Sequence, residues 1–520
     1  MRTGTELRVA DVIREHAGRR PDHVALRHGQ RSLTYEELNV RSDRLAQALL
    51  DAGVQPGGRT AYIDRSAPEV IELLFAAAKI GAVAIPLNWR LAVPELAAIL
   101  ADARPALLIA GPAFETTAEA VLSRLEAPPR LVRVARDYEP WLAAFDAVDP
   151  GGRGDSSDPI VQMYTSGTTG VPKGVLTTHR NLAAAAETSP HWEFDADSVS
   201  LTPIPTFHIG GIGWAFLGLW NGATTILVSE FDAAGVLDTF EQQAVTNAVL
   251  VPTMIQMMCA VPGAADRDYS ALRAIAYGAS PITTPVLKKA LATFRCSFYG
   301  IYGLTETTGG VMQLGPDDHQ PDGPREHLLR SAGKPFPWIE LRVVDPVSCE
   351  DVVSGTVGEV WLRGPNVMAG YYDLPAETSA AITADGWLRT GDGGYVDDEG
   401  YLFLTDRVKD MIVSGGENVY PIEVEEALSQ HPGLVEAAVV GVPDERWGEM
   451  VKAFVVPKPG ASVTEPELRA FCRERLAGYK VPRQFEFVAE LPRTPTGKVL
   501  KRALRERTAV APLALYTHPG

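Results

Sequence analysis

The sequence predicts an α/β protein: a large N-terminal domain of several subdomains with mainly parallel sheets, followed by a small α/β C-terminal domain. Three observations carry this. Strand-like and helix-like runs alternate through the first part of the chain, the pattern of right-handed crossovers and parallel sheets covered on both faces. The chain has 520 residues, 46% of them apolar and 22% charged, enough for several cores rather than one. From about Asp406 the pattern restarts as a compact unit of about 110 residues, a usual small-domain size.

The elements follow in order. Thr34 and Glu37 make a capping box that opens a helix through Leu38, Leu45 and Leu49, with Gly53 as its stop. Then come a strand at Thr60–Ile63, a helix at Pro68–Ile80, a strand at Ala82–Pro86, a helix at Pro94–Asp102 and a strand at Ala106–Ala110. A polar stretch, Asp149–Asp158, precedes the strand Ile160–Thr165, and further strands are expected at Thr224–Ser229 and Val245–Val251. The last unit holds Glu423–Leu428, Ala437–Val442, Val451–Val456, Thr464–Leu476 with a second capping box (Thr464 and Glu467), and Gln484–Val488.

Composition excludes several function classes. The net charge of −17 disfavours nucleic acid or an anionic membrane as partner, so an anionic ligand must be held by local cations. The four cysteines, Cys259, Cys296, Cys349 and Cys472, are scattered without a CxxC pair, which fits neither a disulfide framework nor a zinc site. The most apolar stretches are short or interrupted and read as core, not as transmembrane segments. The start lacks an apolar signal run and the end lacks a sorting tripeptide. The expected location is cytoplasmic.

One segment carries chemistry most directly. Tyr164 to Val175 follows a predicted strand and contains Thr165, Ser166, Gly167, Thr168, Thr169, Gly170 and Lys173. Glycines let backbone N–H groups approach phosphate oxygens, hydroxyls add donors, and the lysine adds charge. It is not a Walker A loop, because Pro172 rather than glycine precedes Lys173. A dinucleotide fingerprint fails at Gly211-Ile-Gly213, where Phe216 stands in the third glycine position. No G-x-S-x-G elbow occurs.

With this loop, further motifs appear in order: Pro205-Thr-Phe-His208, Tyr277-Gly-Ala-Ser280, Tyr299-Gly-Ile-Tyr-Gly-Leu-Thr-Glu306, Thr390-Gly-Asp392, Asp406 to Pro421, and Pro492 to Lys498. From about Ala10 to about Arg507 the chain resembles the adenylate-forming enzymes, which include acyl-CoA synthetases, 4-coumarate-CoA ligases, firefly luciferase and peptide-synthetase adenylation domains. The resemblance implies a two-step reaction. A carboxylate attacks the α-phosphate of ATP and releases pyrophosphate, leaving an acyl-adenylate. A thiol then attacks the acyl carbon and expels AMP.

By resemblance, each motif acquires a role. Lys498, His208 and Glu306 are the catalytic candidates: Lys498 at the α-phosphate, His208 as a gate with no proton-transfer role, and Glu306 with Thr165 holding Mg²⁺. ATP and AMP would be bound by the loop residues, by Gly278, Ala279, Ser280, Tyr299, Gly300, Tyr302, Gly303 and Thr305, and by Asp392 and Arg407 at the ribose. The acyl group would meet His208, Gly211, Trp214, Tyr277, Gly303, Gly309 and Val311. Ser414, Gly415 and Gly416 would line the tunnel for coenzyme A. The implied domains are 1–405 for adenylation, a hinge at 406–409 with its pivot at Lys409, and a mobile lid at 410–520.

The resulting expectation is an ATP-dependent acyl-CoA synthetase acting on a medium- or long-chain fatty acid, with ATP, Mg²⁺ and coenzyme A. Aryl acids of the coumarate or benzoate type, or a carrier-protein acceptor, are the alternatives within the family. A P-loop NTPase and a catalytically silent protein of the same fold are the rivals outside it. The expected macromolecular partners are a second copy of the chain and a lysine acetyltransferase, since acetylation of Lys498 would remove the charge at the α-phosphate.

Overall fold

The computed structural model describes residues 8–152, 154–165, 172–280, 282–407, 412–414, 417–419, 421–444, 448–493 and 499–509. The chain divides into two compact units, Met1–Leu341 with Leu362–Arg389, and Arg342–Trp361 with Thr390–Gly520.

The first unit is built on two sheets. The larger runs in the order Lys334–Pro335, Gly309–Leu314, Ser297–Leu304, Ala274–Gly278, Asn247–Leu250, Val199–Thr202, Thr224–Leu227, Val24–His28 and Arg31–Thr34. Its centre is parallel and its two ends are antiparallel. The smaller runs Gly370–Tyr371, Lys173–Thr178, Pro159–Thr165, Val83–Pro86, Arg59–Ile63, Leu107–Ala110 and Arg130–Arg133. It is parallel from Pro159–Thr165 onward, while the Lys173–Thr178 hairpin partner and Gly370–Tyr371 are antiparallel. The mainly parallel architecture expected from the alternating runs is therefore present.

Local chemistry fixes the helix ends. Glu37 N donates to Thr34 Oγ1 at 3.1 Å and Thr34 N donates to Glu37 Oε2 at 2.8 Å, the reciprocal box at the start of Tyr35–Asp51. At the other end Gly53 takes φ +85°, and the N–H groups of Gly53 and Val54 reach back to the Leu50 and Leu49 carbonyls. That is a Schellman stop, which requires the left-handed conformation that glycine adopts freely. The helix Pro68–Ile80 is buried at every position, Glu72 and Lys79 included, and packs on Tyr35–Asp51. Among the described residues no helix is long and apolar enough to cross a membrane.

The second unit carries most of a four-stranded sheet, ordered Glu340–Val344, Gly358–Arg363, Leu388–Val396 and Leu402–Arg407. No strand was expected at any of the four. A further sheet runs Glu417–Val419, Ile412–Ser414, Gly448–Pro457 and Leu434–Asp444, with Gln484–Phe487 parallel to Gly448–Pro457. Strand periodicity divides its side chains. Val439, Val451, Ala453 and Val455 face the helices Pro421–Ser429 and Glu465–Arg473. Val440 and Phe454 face Leu504 of Lys501–Ala509.

Candidate active site

The phosphate-loop candidate hangs between two antiparallel strands, with Thr165 opposite Lys173 in the register. Ser166, Gly167, Thr168, Thr169 and Gly170 lie outside the described residues. The base of this hairpin is braced from behind. Arg59 Nε donates to Gln162 Oε1 at 2.7 Å, Gln162 Nε2 donates to the Tyr164 hydroxyl at 2.8 Å, and that hydroxyl donates to Asp102. A side chain on Gly174 would meet Gln162 Nε2 at 2.6 Å, so glycine there is what lets the glutamine lie across the hairpin.

Glu306 reaches the same place from the larger sheet. The strand Ser297–Leu304 ends in a short 3₁₀ turn, Thr305–Thr307. Thr307 Oγ1 accepts from Leu304 N at 2.7 Å, and Met368 N donates to the Glu306 carbonyl at 2.9 Å. The Glu306 carboxylate accepts from the Tyr371 hydroxyl at 3.1 Å. Lys173 Nζ sits 5.0 Å from the centroid of the Tyr371 ring. Tyr371 was not foreseen. It lies on the edge strand paired with Lys173–Thr178 (Tyr371 opposite Val175), and its neighbour Tyr372 points the other way, with the Arg59 guanidinium 3.7 Å from its ring centroid. Two adjacent tyrosines on opposite faces of a strand were the available signal.

A hydroxyl, a carboxylate and a cation around a phosphate loop suit Mg²⁺ with ATP. Mg²⁺ prefers hard oxygen donors and keeps several ligands from water and phosphate, so few protein oxygens suffice. Among the described residues no group of three His, Cys, Asp or Glu side chains converges.

The aromatic-glycine segments meet as neighbouring parallel strands, Tyr277 opposite Gly300 and Gly278 opposite Ile301. A Cβ on Gly278 would lie 2.5 Å from the Ile301 carbonyl oxygen, and Ala279 takes φ +68°. Tyr277 corrects an expectation. Its ring is only 5% exposed and packs on Phe298 and His319. His319 Nδ1 donates to the Gly315 carbonyl at 2.7 Å, so Nε2 accepts from the Tyr277 hydroxyl at 2.9 Å. Tyr277 therefore packs into the core of the larger sheet. Tyr299 is also buried and donates to Glu193 Oε1 at 2.9 Å. Tyr302 is half-buried and remains the more accessible aromatic group.

At the acyl candidate, His208 stands at the N-terminus of Ile209–Trp220, its ring 4.3 Å from that of Phe207. Gly211 corrects a second expectation. A Cβ there would lie 2.2 Å from the Pro205 carbonyl oxygen and 2.5 Å from that of Ile204, so this glycine serves close backbone packing. Gly303 likewise abuts the Gly309 carbonyl at 1.8 Å from its would-be Cβ. Gly213 and Gly309 differ: both face the Ile209 side chain at 3.7–3.8 Å, with room for a Cβ, although Gly309 has φ +92°. Ile209 was not foreseen as a lining residue. Trp214 is 3% exposed, stacked on Trp192 at 5.5 Å and edge-on to Phe194 at 5.1 Å. Val311 is buried as well.

In the second unit, Asp392 lies opposite Arg407 in the antiparallel register. Its backbone is fixed by Asp392 N donating to Thr390 Oγ1 at 3.0 Å, while Thr390 Oγ1 donates to the Val360 carbonyl at 2.7 Å. Gly391, at φ +71°, donates its N–H to Glu359 at 3.1 Å. Ser414, the last residue of the strand Ile412–Ser414, is buried and lies opposite Glu417 in the register. Lys409, Gly415, Gly416 and Lys498 lie outside the described residues.

Comparison with known proteins agrees with this arrangement. Residues 13–372 match the AMP-binding enzyme family, and residues 423–498 match the AMP-binding enzyme C-terminal domain. The chain is 41% identical to the fatty acid–[acyl-carrier-protein] ligase ScoC of Streptomyces coeruleorubidus, covering 95% of each. It is 42% identical to a feruloyl-CoA synthase of an Amycolatopsis species, covering 94% of this chain and 96% of that one. Among solved structures, ATP-bound MatB of Rhodopseudomonas palustris superposes with a TM-score of 0.88 at 29% identity, covering 96% of this chain and 99% of MatB. The chain thus belongs to the AMP-binding, adenylate-forming enzymes and is an acid–thiol ligase of the AMP-forming kind.

Proposed function

We propose that the acid is apolar, that its activated form passes to coenzyme A, and that a medium- or long-chain fatty acid is the preferred substrate. The observation that carries the first part is the uncharged wall: neither Ile209–Trp220 nor Gly309–Leu314 contains an ionisable side chain. A carboxylate tail with its own charge would be desolvated there without a partner. In adenylation the acid's carboxylate oxygen bonds to the α-phosphorus and pyrophosphate departs. Lys173 and the loop backbone take up charge at the phosphates, and Lys498 does so at the α-phosphate. Thr165 and Glu306 would hold Mg²⁺, which would supply further charge neutralisation. Asp392 accepts from the ribose hydroxyls, with Arg407 opposite it in the register, and the strands Ala274–Gly278 and Ser297–Leu304 flank the base. Rotation about Lys409 then carries Lys498 away and brings Ser414, Gly415 and Gly416 to the thiol path. The thiol sulfur bonds to the acyl carbon, loses its proton, and AMP leaves.

A second reading, an aryl acid of the ferulate type, is favoured by Ile209. Its side chain lies against both Gly213 and Gly309, so it would limit a long chain running between them. The named activity of the Amycolatopsis relative points the same way. A panel of fatty and aryl acids, scored for pyrophosphate release and then for acyl-CoA by mass, decides between them. Comparable pyrophosphate release without acyl-CoA, but with loading of a holo carrier protein, would overturn the coenzyme A assignment.

A further inference from the structure

Lys173 and Glu306 carry opposite charges and share one neighbour, yet they do not pair. The Tyr371 ring offers its face to the Lys173 ammonium at 5.0 Å, and its hydroxyl donates to Glu306 Oε1 at 3.1 Å. Among the described residues no carboxylate stands within ion-pair distance of Lys173 and no cation within ion-pair distance of Glu306. An ammonium is held by the negative face of a ring, and a carboxylate by a phenolic donor. One tyrosine therefore satisfies both charges while standing between them.

We infer that Tyr371 is a positioning residue that keeps Lys173 and Glu306 from forming a salt bridge with each other, so that the lysine stays available to phosphate. The backbone supports this placement. Tyr371 is registered opposite Val175 on the strand that begins with Lys173, and Met368 N pins the Glu306 carbonyl at 2.9 Å. Removing the ring would leave two opposite charges on fixed backbones with nothing between them, and the lysine would turn to the carboxylate. The inference rests on the reading above that Lys173 faces the phosphates of ATP.

The test is calorimetric binding of ATP to the full chain in EDTA, where no metal contributes. Lys173→Met should bind about tenfold more weakly, the scale of one lost charge-assisted contact. Tyr371→Leu should weaken binding by about the same factor, because Lys173 is then taken by Glu306. Tyr371→Leu combined with Glu306→Gln should return to within about twofold of Glu306→Gln alone, since the competitor is gone. Tyr371→Phe keeps the ring and should bind metal-free ATP within about twofold of the parent. Weakened binding by Lys173→Met with unchanged binding by Tyr371→Leu overturns the inference alone. So does a Tyr371→Leu defect that Glu306→Gln fails to relieve, the result a merely structural role would give. Unchanged binding by Lys173→Met removes the phosphate reading and the inference with it. If the leucine protein melts early, Tyr371→Met supplies the same comparison.

Discussion

Two regions of the first unit place opposite charges beside a tyrosine and treat them differently. Around the buried helix Pro68–Ile80 the charges satisfy one another: Arg41 holds Glu72 in two contacts, 2.7 and 3.2 Å, and Tyr138 adds a hydrogen bond to the same carboxylate at 2.8 Å. Lys79, on the same helix, pairs with Asp43 at 2.7 Å and is completely buried. At the nucleotide candidate, Lys173 and Glu306 are separated by Tyr371 and neither meets an opposite charge among the described residues. The lesson is physical. A charge engaged by protein stabilises or at least specifies the fold, whereas a charge held by a ring face or a single hydroxyl keeps most of its capacity for a ligand.

Breaking the first region should give the largest effect. Glu72→Ala leaves the buried Tyr138 hydroxyl without its acceptor and takes a shared carboxylate from Arg41 and Arg31, which keep Glu139 and Glu69. The expected loss is about 3–5 kcal/mol, as for other buried pairs stripped of one partner. Urea unfolding measures it, and the folded fraction should retain its turnover per active site. A loss below about 1 kcal/mol would mean that this network behaves like a surface pair.

The second region should respond in the opposite sense. Glu306→Gln should lower the rate of pyrophosphate release at least about 100-fold, equivalent to about 2.7 kcal/mol of barrier. Its melting temperature should stay within about 2 °C of the parent, because the Tyr371 hydroxyl keeps an acceptor. A large drop in melting temperature with a small rate change would place Glu306 in the same class as Glu72.

Protons provide a third test. His179 is almost fully buried, its Nδ1 accepts from Val9 N at 3.1 Å, and burial pushes its pKa down to about 4. Its folded value thus lies below the ordinary 6.5, so the unfolded chain takes up a proton that the folded chain refuses. The stability tied to the neutral ring is complete above about pH 6.5 and declines as the pH falls toward 4, by at most about 1.4 kcal/mol per unit. Comparing unfolding at pH 7.5 and pH 5 for the parent and for His179→Asn isolates this slope. The asparagine keeps an acceptor and does not titrate, so its slope should be shallower. Identical slopes would show that another group governs the acid limb.

How much was legible in the sequence follows the same division. Caps, stops and the alternation of strands with helices are local, and Thr34, Glu37, Gly53 and the helix Pro68–Ile80 stand where local rules put them. Strand edges moved by up to three residues, as at Leu434–Asp444 and Gly448–Pro457, since element ends are the least local feature of a strand. The strands Glu340–Val344, Gly358–Arg363 and Leu388–Val396 escaped notice because their mixed exposure breaks the apolar pattern. For the candidate site, motif order singled out Thr165, Lys173, Glu306 and Asp392. Tyr371 and Ile209 stayed hidden because each owes its position to register with a segment far away in the chain. The surroundings of Tyr277 and Gly211 were not legible for a related reason: what an aromatic ring or an absent Cβ faces within the protein depends on tertiary neighbours.

The glycines of one helix turn give the smallest expected effect and the sharpest form of the contrast. Gly211 and Gly213 are two residues apart in Ile209–Trp220. A Cβ on Gly211 would run into the Pro205 and Ile204 carbonyl oxygens at 2.2 and 2.5 Å, both backbone atoms that cannot step aside cheaply. Gly211→Ala should therefore destabilise the protein by about 1–3 kcal/mol through overpacking. It should lower turnover alike for every acid, because the change is in folding rather than in the space for substrate. A Cβ on Gly213 would meet only Ile209 Cδ1 and Cγ1, at 3.7 and 3.8 Å, ordinary contact distances. Gly213→Ala removes the entropic weakness of glycine in a helix interior and should stabilise by about 0.5–1 kcal/mol. If the space beside Ile209 receives the acid, the same methyl group should also narrow the range of acids accepted, the bulkiest first. Melting curves and the acid panel should be run on both proteins. A uniform loss of turnover in Gly213→Ala, or a size-dependent loss in Gly211→Ala, would exchange the roles assigned to the two glycines.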